Sequence, residues 1–309
     1  MATMNQIARS RRWGRLSLKQ REAINGYLFV LPVVFGFIAF TAGPMGYTAW
    51  VSTTEWDMLS PARSVGLDNY RDMIDDKLFW KSLRVTFTYA LVGVPLLQLL
   101  SFGIALLLNV KVRGLAVFRT IYYLPTIAPI VASSVLWTWL FNSEFGLVNS
   151  LLRELGFKKV LWLQDPRWAL WVLILLALWG FGWTMIIYLA GLQGIPVHLY
   201  EAAEIDGARS WHRLFHITIP MMSPVIFFNT LLGMIFALQT FAQGQIITNG
   251  GPQNSTLFYS LYLYRRAFTD FKMGYATALA WAMFLIVLVL SLAIFLTVGR
   301  KIYYEDEGR

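Results

Sequence analysis

The sequence predicts an all-α, polytopic membrane protein with six transmembrane helices. Of its 309 residues, 57% are hydrophobic and 14% charged, and the mean hydropathy is +0.54. A soluble domain carries about 25% charged residues, so this chain lacks the solvated groups to cover a globular surface in water. Six apolar stretches each reach the roughly 20 residues that a bilayer-crossing helix needs. They run from Gly26 to Val51, Val85 to Val110, Ala116 to Phe141, Trp168 to Gln193, Ile219 to Gln243 and Gly274 to Gly299. The absence of cysteine excludes a disulfide-stapled secreted fold, thiolate metal sites and a cysteine nucleophile.

The first stretch follows six basic residues, Arg9, Arg11, Arg12, Arg15, Lys19 and Arg21. Its apolar run is about twice the core of a signal peptide, which predicts a retained anchor. The basic flank places the N-terminus in the cytoplasm, and six crossings return the C-terminus to the same side. The expected divisions are a basic N-terminus (1–25), the first helix with an outer segment (26–82), a five-helix core (83–299) and a cytoplasmic tail (300–309). Within the outer segment, Gly66-Leu67-Asp68-Asn69-Tyr70 followed by Met73, Ile74, Leu78, Phe79 and Trp80 predicts a short interfacial helix. Arg119 is the only charged side chain in any stretch, close enough to an edge to snorkel. Pro32, Pro44, Pro95, Pro125 and Pro129 are tolerated because neighbouring spans can satisfy the backbone groups they free.

Several chemistries are missing. No Gly-x-x-x-x-Gly-Lys-Ser/Thr loop exists to cradle a nucleotide phosphate. His212 and His216 have metal-compatible spacing but no third ligand nearby, so no metal is expected. No cofactor and no nucleic-acid partner is expected either. Acids and histidines are absent from all six spans, whereas ion-coupled carriers keep such groups at membrane depth. Transport driven from elsewhere leads, ahead of an ion-coupled secondary transporter and a polytopic membrane enzyme.

The chemistry concentrates in the inner connection from Gly194 to Thr218. Pro196 suits a helix's first turn and Gly207 the left-handed position beyond its end, giving a helix of about ten residues. Leu199, Ala202, Ala203 and Asp206 share one face by helical spacing, narrow enough to enter a groove. Ser210 is placed to cap a second helix through Trp211, Leu214 and Phe215 into Pro220. Residue chemistry alone equally allows a solvated hairpin between two spans.

Glu201-Ala202-Ala203, then Gly207, then Ile217-Thr218-Ile219-Pro220 resembles the EAA loop of binding-protein-dependent ABC importer permeases, with Ile219 where leucine is usual. Phe118-Arg119 with Tyr122-Tyr123-Leu124-Pro125, and Gly250-Gly251-Pro252 with Gly274-Tyr275-Ala276, are similar to other stretches of the sugar-permease branch, in the half that includes the maltose and glycerol-phosphate first permeases. The resemblance implies a type I ABC importer permease fold. It implies that Glu201, Ala202, Ala203, Asp206, Gly207, Ile217 and Pro220 couple to an ATPase. The implied partners are two ATP-binding subunits, a second permease subunit, an extracytoplasmic solute-binding protein, a carbohydrate substrate and the lipid bilayer. Pockets in this family sit on the spans flanking the loop, which offer Leu176, Trp179, Gly180 and Trp183 before it and Gly233, Phe236, Ala237, Thr240, Phe241 and Gln243 after it. Aromatic rings suit sugar faces, and Thr240 and Gln243 can hydrogen-bond hydroxyls. The same residues also suit plain helix packing. No positive charge lies at depth to meet a phosphate, which favours a neutral sugar.

Overall fold

The computed structural model describes residues 17–110 and 114–298; Arg9, Arg11, Arg12, Arg15, Lys111, Arg113 and the 300–309 tail lie outside the described residues. The first span begins earlier than its apolar stretch. Ser17 accepts from the Gln20 backbone while the Gln20 side chain accepts from the Ser17 backbone, a capping box that starts α1 (Leu18–Phe37). A π-helical turn (Ile38–Ala42) leads into α2 (Gly43–Val51). No residue of α1 is buried.

Beyond it, strands β1 (Thr54–Glu55) and β2 (Arg63–Ser64) pair antiparallel, and α3 (Asp68–Asp75) follows. The second span is longer than its apolar core. Asp76 caps the N-terminus of α4 (Lys77–Leu108) by accepting from Leu78 N at 2.8 Å. Leu78, Phe79 and Trp80 therefore belong to this span and not to the expected interfacial helix.

The next three spans are broken. Helices α5 (Leu115–Ile127) and α6 (Ile130–Leu140) meet at 93°, because Ala128 is extended ahead of Pro129. After α7 (Leu147–Glu154), α8 (Ala169–Trp179) and α9 (Gly182–Gln193) meet at 44°. The hairpin helices α10 (Val197–Ile205) and α11 (Ser210–Arg213) follow, then a π-helical turn (Leu214–Thr218) and α12 (Ile219–Met221). The Ser210–Met221 stretch meets α13 (Ser223–Leu238) at 65°. A third π-helical turn (Gly244–Thr248), α14 (Tyr259–Phe268) and α15 (Met273–Val298) complete the described chain. Among the described residues, three helices are long and apolar enough to cross a membrane, and the total is six when each bent pair is counted as one span.

The chain alternates between two ends. The strands, α3, α7 and α14 gather at one, the hairpin of α10–α12 at the other. At the strand end, Asn69 Nδ2 donates to the carbonyls of Ser52 and Thr54, both at 2.9 Å, and Met273 N donates to Trp56 O at 2.8 Å. Asn149 ties the 141–168 connection together, donating to the Ser143 and Val160 carbonyls and accepting from Val160 N and Trp162 Nε1. The core falls into two apolar clusters. One, around Tyr89, Val94, Leu173 and Phe258, fills the strand-end half; the other, around Ala105, Met185, Leu192 and Met222, fills the hairpin half.

Candidate functional site

The hairpin is built from its turns outward. Pro196 stands at the N-cap of α10 with extended backbone (φ −59°, ψ 128°). At the other end Gly207 has φ +76°; its N–H donates to Glu204 O at 3.0 Å while Ala208 N donates to Ala203 O at 2.8 Å. These paired bonds close the last turn and need a left-handed residue between them. Nothing lies within 4 Å of where a Gly207 side chain would begin, so the demand is conformational and not spatial.

The return arm differs from expectation at its start. Ser210 is the first helical residue, and the N-cap is Arg209, which makes no capping side-chain bond. Instead the arms are clasped farther along. The Tyr200 and Thr218 hydroxyls lie 2.9 Å apart, Thr218 Oγ1 also donates to Arg213 O at 3.3 Å, and Arg213 reaches Glu204 at 3.5 Å. Thr218 closes the π-helical turn, a rare geometry frequent at functional sites.

The clasp sorts the hairpin's residues into two sides. Leu199, Tyr200, Ile217 and Met221 pack against the cluster of Leu108, Leu189, Leu192 and Met222. Glu201, Ala202, Asp206 and Gly207 are exposed, and Ile205 is 88% exposed; Ala203 and Pro220 are half-buried. The expected single face is thus split. Leu199 packs on the core and Ala203 is half-buried, while Ala202 and Asp206 stay outside with Glu201, because the returning arm covers one flank of α10.

The flanking spans distribute their candidates differently. Trp179 is half-buried 6.3 Å from Trp137 by ring centroids, and Gly180 lies in the break between α8 and α9. Beyond α13, Thr240 is buried, Phe241 packs 5.2 Å from Tyr264, and Gln243 Nε2 donates to Tyr89 OH at 3.4 Å. Trp183 and Phe236 are instead 60% and 68% exposed. Neither the 640 Å³ cavity at the strand end nor the 240 Å³ groove between α4 and α8 includes any of these seven side chains. Helical spacing found the faces but not what each face meets. Tyr89, the partner of Gln243, comes from a span that spacing around the loop could not have indicated.

A third constellation escaped sequence reading. Asp76 Oδ2 accepts from Tyr262 OH, from Tyr275 OH at 3.0 Å and from Arg266 at 3.2 Å. Arg266 also donates to Tyr262 OH at 2.8 Å, bonds Asp270 at 3.0 Å and lies over both tyrosine rings. Burial opposes the Asp76 charge, but the bonds from Tyr262, Leu78 N and Tyr275, together with the Arg266 charge, hold its carboxyl below the usual range. The network joins α4, α14 and α15 at the strand end, where its Asp76, Arg266 and Tyr275 line the larger cavity.

Residues 83–300 match the family model described as the inner membrane component of binding-protein-dependent transport systems. The chain is 44% identical to the probable ABC transporter permease protein YesP of Bacillus subtilis (strain 168), over 93% of this chain and 94% of that one. It is 37% identical to the lactose transport system permease protein LacF of Rhizobium radiobacter, covering 90% and 95%. Identity is also 37% to the trehalose/maltose transport system permease protein MalF of Thermococcus litoralis (strain ATCC 51850 / DSM 5473 / JCM 8560 / NS-C), covering 92% and 96%. A chain from the crystal structure of a bacterial alginate ABC transporter, in complex with alginate pentasaccharide-bound periplasmic protein, superposes with a TM-score of 0.82 at 24% identity, over 93% of this chain and 98% of that one. The chain therefore belongs to the inner membrane components of binding-protein-dependent transport systems: it is a permease of an ABC importer and not an enzyme, with ATP hydrolysis residing on a partner subunit.

Proposed function

We propose that this permease carries a carbohydrate and takes its energy from the 196–220 hairpin. The single observation that carries the coupling reading is the hairpin's division of labour. One flank is clasped and packed onto the transmembrane core, while Glu201, Ala202, Ile205, Asp206 and Gly207 are left outward for a separate ATP-binding subunit. Two such subunits, a second permease subunit and an extracytoplasmic binding protein complete the transporter. On this reading the hairpin end and both termini are cytoplasmic, the strand end faces outward, and the divisions 1–25, 26–82, 83–299 and 300–309 keep their assigned roles. Trp179, Gly180, Trp183, Phe236, Thr240, Phe241 and Gln243 line the pathway together with residues of the second permease, which accounts for the exposed Trp183 and Phe236. The sugar assignment draws support from relatives named for lactose and for trehalose/maltose transport. Family membership sets aside the ion-coupled carrier and the membrane enzyme.

The test is uptake of radiolabelled lactose, maltose and trehalose by proteoliposomes holding the complete transporter, with proton and sodium gradients collapsed. ATP supplied to the hairpin side is expected to drive entry of at least one of them. Uptake by this chain alone on an ion gradient would remove the reading.

Gly207→Val tests the hairpin itself. A β-branched residue at φ +76° costs roughly 1–2 kcal/mol or more, enough to reshape the turn. Membrane insertion is expected to stay normal while co-purified ATP-binding subunit falls about tenfold, read by quantitative immunoblotting. Full retention would separate the turn from docking.

A further inference from the structure

Polar side chains inside a membrane bundle are few, and each needs a partner because hydrocarbon offers none. Gln98 of α4, only 8% exposed, has two on two different helices. Its Oε1 accepts from Tyr188 OH of α9 at 2.5 Å, and its Nε2 donates to the backbone carbonyl of Asn229 in α13 at 3.0 Å. One amide thus bonds both helices that flank the hairpin. A side chain begun at Gly233 would lie 3.1 Å from Gln98 Nε2 and 3.2 Å from Val94, so α4 and α13 are in close contact beside the bonds.

The position of this knot matters more than its strength. Tyr188 precedes the end of α9 by little more than one turn, and Asn229 follows the start of α13 by less than two. On the hairpin side of it, Leu189, Leu192 and Met222 share one apolar cluster with Leu199, Tyr200 and Ile217 of the hairpin. Toward its other end, α9 begins at the break with α8, where Ser101 of α4 donates to Phe181 O at 3.3 Å. Neither flanking helix can slide on α4 without leaving a buried donor or acceptor unpaired.

We propose that Gln98 and Tyr188 are positioning residues of the transport cycle. They yoke α9 and α13 to α4, so that displacement of the hairpin reaches Gly180 and Thr240 as one movement. This rests on the reading of the hairpin as the ATPase contact.

The experiment uses the complete transporter in nanodiscs, with ATP as the probe and hydrolysis measured with and without its cognate binding protein. Gln98→Met keeps the volume and loses both bonds; Tyr188→Phe loses one. Each is expected to retain ATP-binding subunit and basal hydrolysis within about twofold, while stimulation by the binding protein drops at least fivefold. The double variant should be no worse than the poorer single variant, because both remove the same link. Unchanged stimulation in both single variants overturns the proposal. So does a parallel fall of yield, basal and stimulated rates, which would make the knot a fold support only. Failure of the unmodified chain to retain ATP-binding subunit defeats the hairpin reading instead, and with it this inference.

Discussion

Gly274→Ala is expected to lower the midpoint of thermal unfolding by roughly 4–6 °C, because a methyl group there would meet backbone more closely than at any other described glycine. The added carbon would sit 1.8 Å from the Thr54 carbonyl oxygen and 2.9 Å from its carbon. Both are backbone atoms, fixed by the β1–β2 pairing and by the Asn69 amide that donates to that same carbonyl. No rotamer change can relieve the contact, so either α15 retreats from β1 or the strands leave their seat. Overpacking of this kind costs about 3 kcal/mol. Gly26→Ala, with nothing within 4 Å, is the matched control and should leave the midpoint unmoved. An unchanged midpoint for Gly274→Ala in detergent-purified protein would mean that the strands do not rest on α15.

Asp76→Ala is expected to cost roughly 3 kcal/mol, near the lower end for breaking a buried pair from one side. The substitution uncaps α4 and strips Tyr262 and Tyr275 of their shared acceptor. Arg266 keeps Asp270, which limits the loss. Asp76→Asn, which can still cap the helix, should fall between. The sign of the pH dependence follows from the depressed carboxyl. Its stabilisation is present above the unfolded value of about 3.9 and is lost as pH falls through the lower folded value. The gap in unfolding midpoint between the unmodified chain and Asp76→Asn should therefore stay level from pH 8 to pH 5 and narrow only below about pH 4. A gap that closes by pH 6 would contradict the network.

Chemistry written in neighbouring residues was legible in the sequence, and chemistry assembled across the bundle was not. Gly207 could be read as left-handed because a helix end and a following turn lie within a few residues of it. The capping box at Ser17 and Gln20 was equally local, but it sits among basic residues that read as a solvated flank. Proline gave an incomplete signal. Pro32, Pro95 and Pro125 remain inside helices, while Pro129 marks a 93° bend, and the difference lies in the residue ahead of each, helical before the first three and extended at Ala128. Gln98 and Tyr188, or Asp76 and Arg266, are brought together from 90 and 190 residues apart, beyond the reach of any periodicity. The residues proposed for the pathway show the same limit. Spacing gave Trp183 and Phe236 a helical face, but what a face meets is decided by packing.

The first span carries a consequence for membrane adaptation. Within Leu18–Val51, the apolar part from Gly26 onward has 26 residues and so extends about 39 Å, against a hydrocarbon layer of about 30 Å. Its α2 segment is tied to the strand end through Val51, Ser52 and the Asn69 amide, while among the described residues nothing buries α1. The surplus length is therefore taken up by tilt about one tethered end. A thinner bilayer would lay the free arm over, a thicker one would raise it, and the apolar clusters of the core would feel neither change.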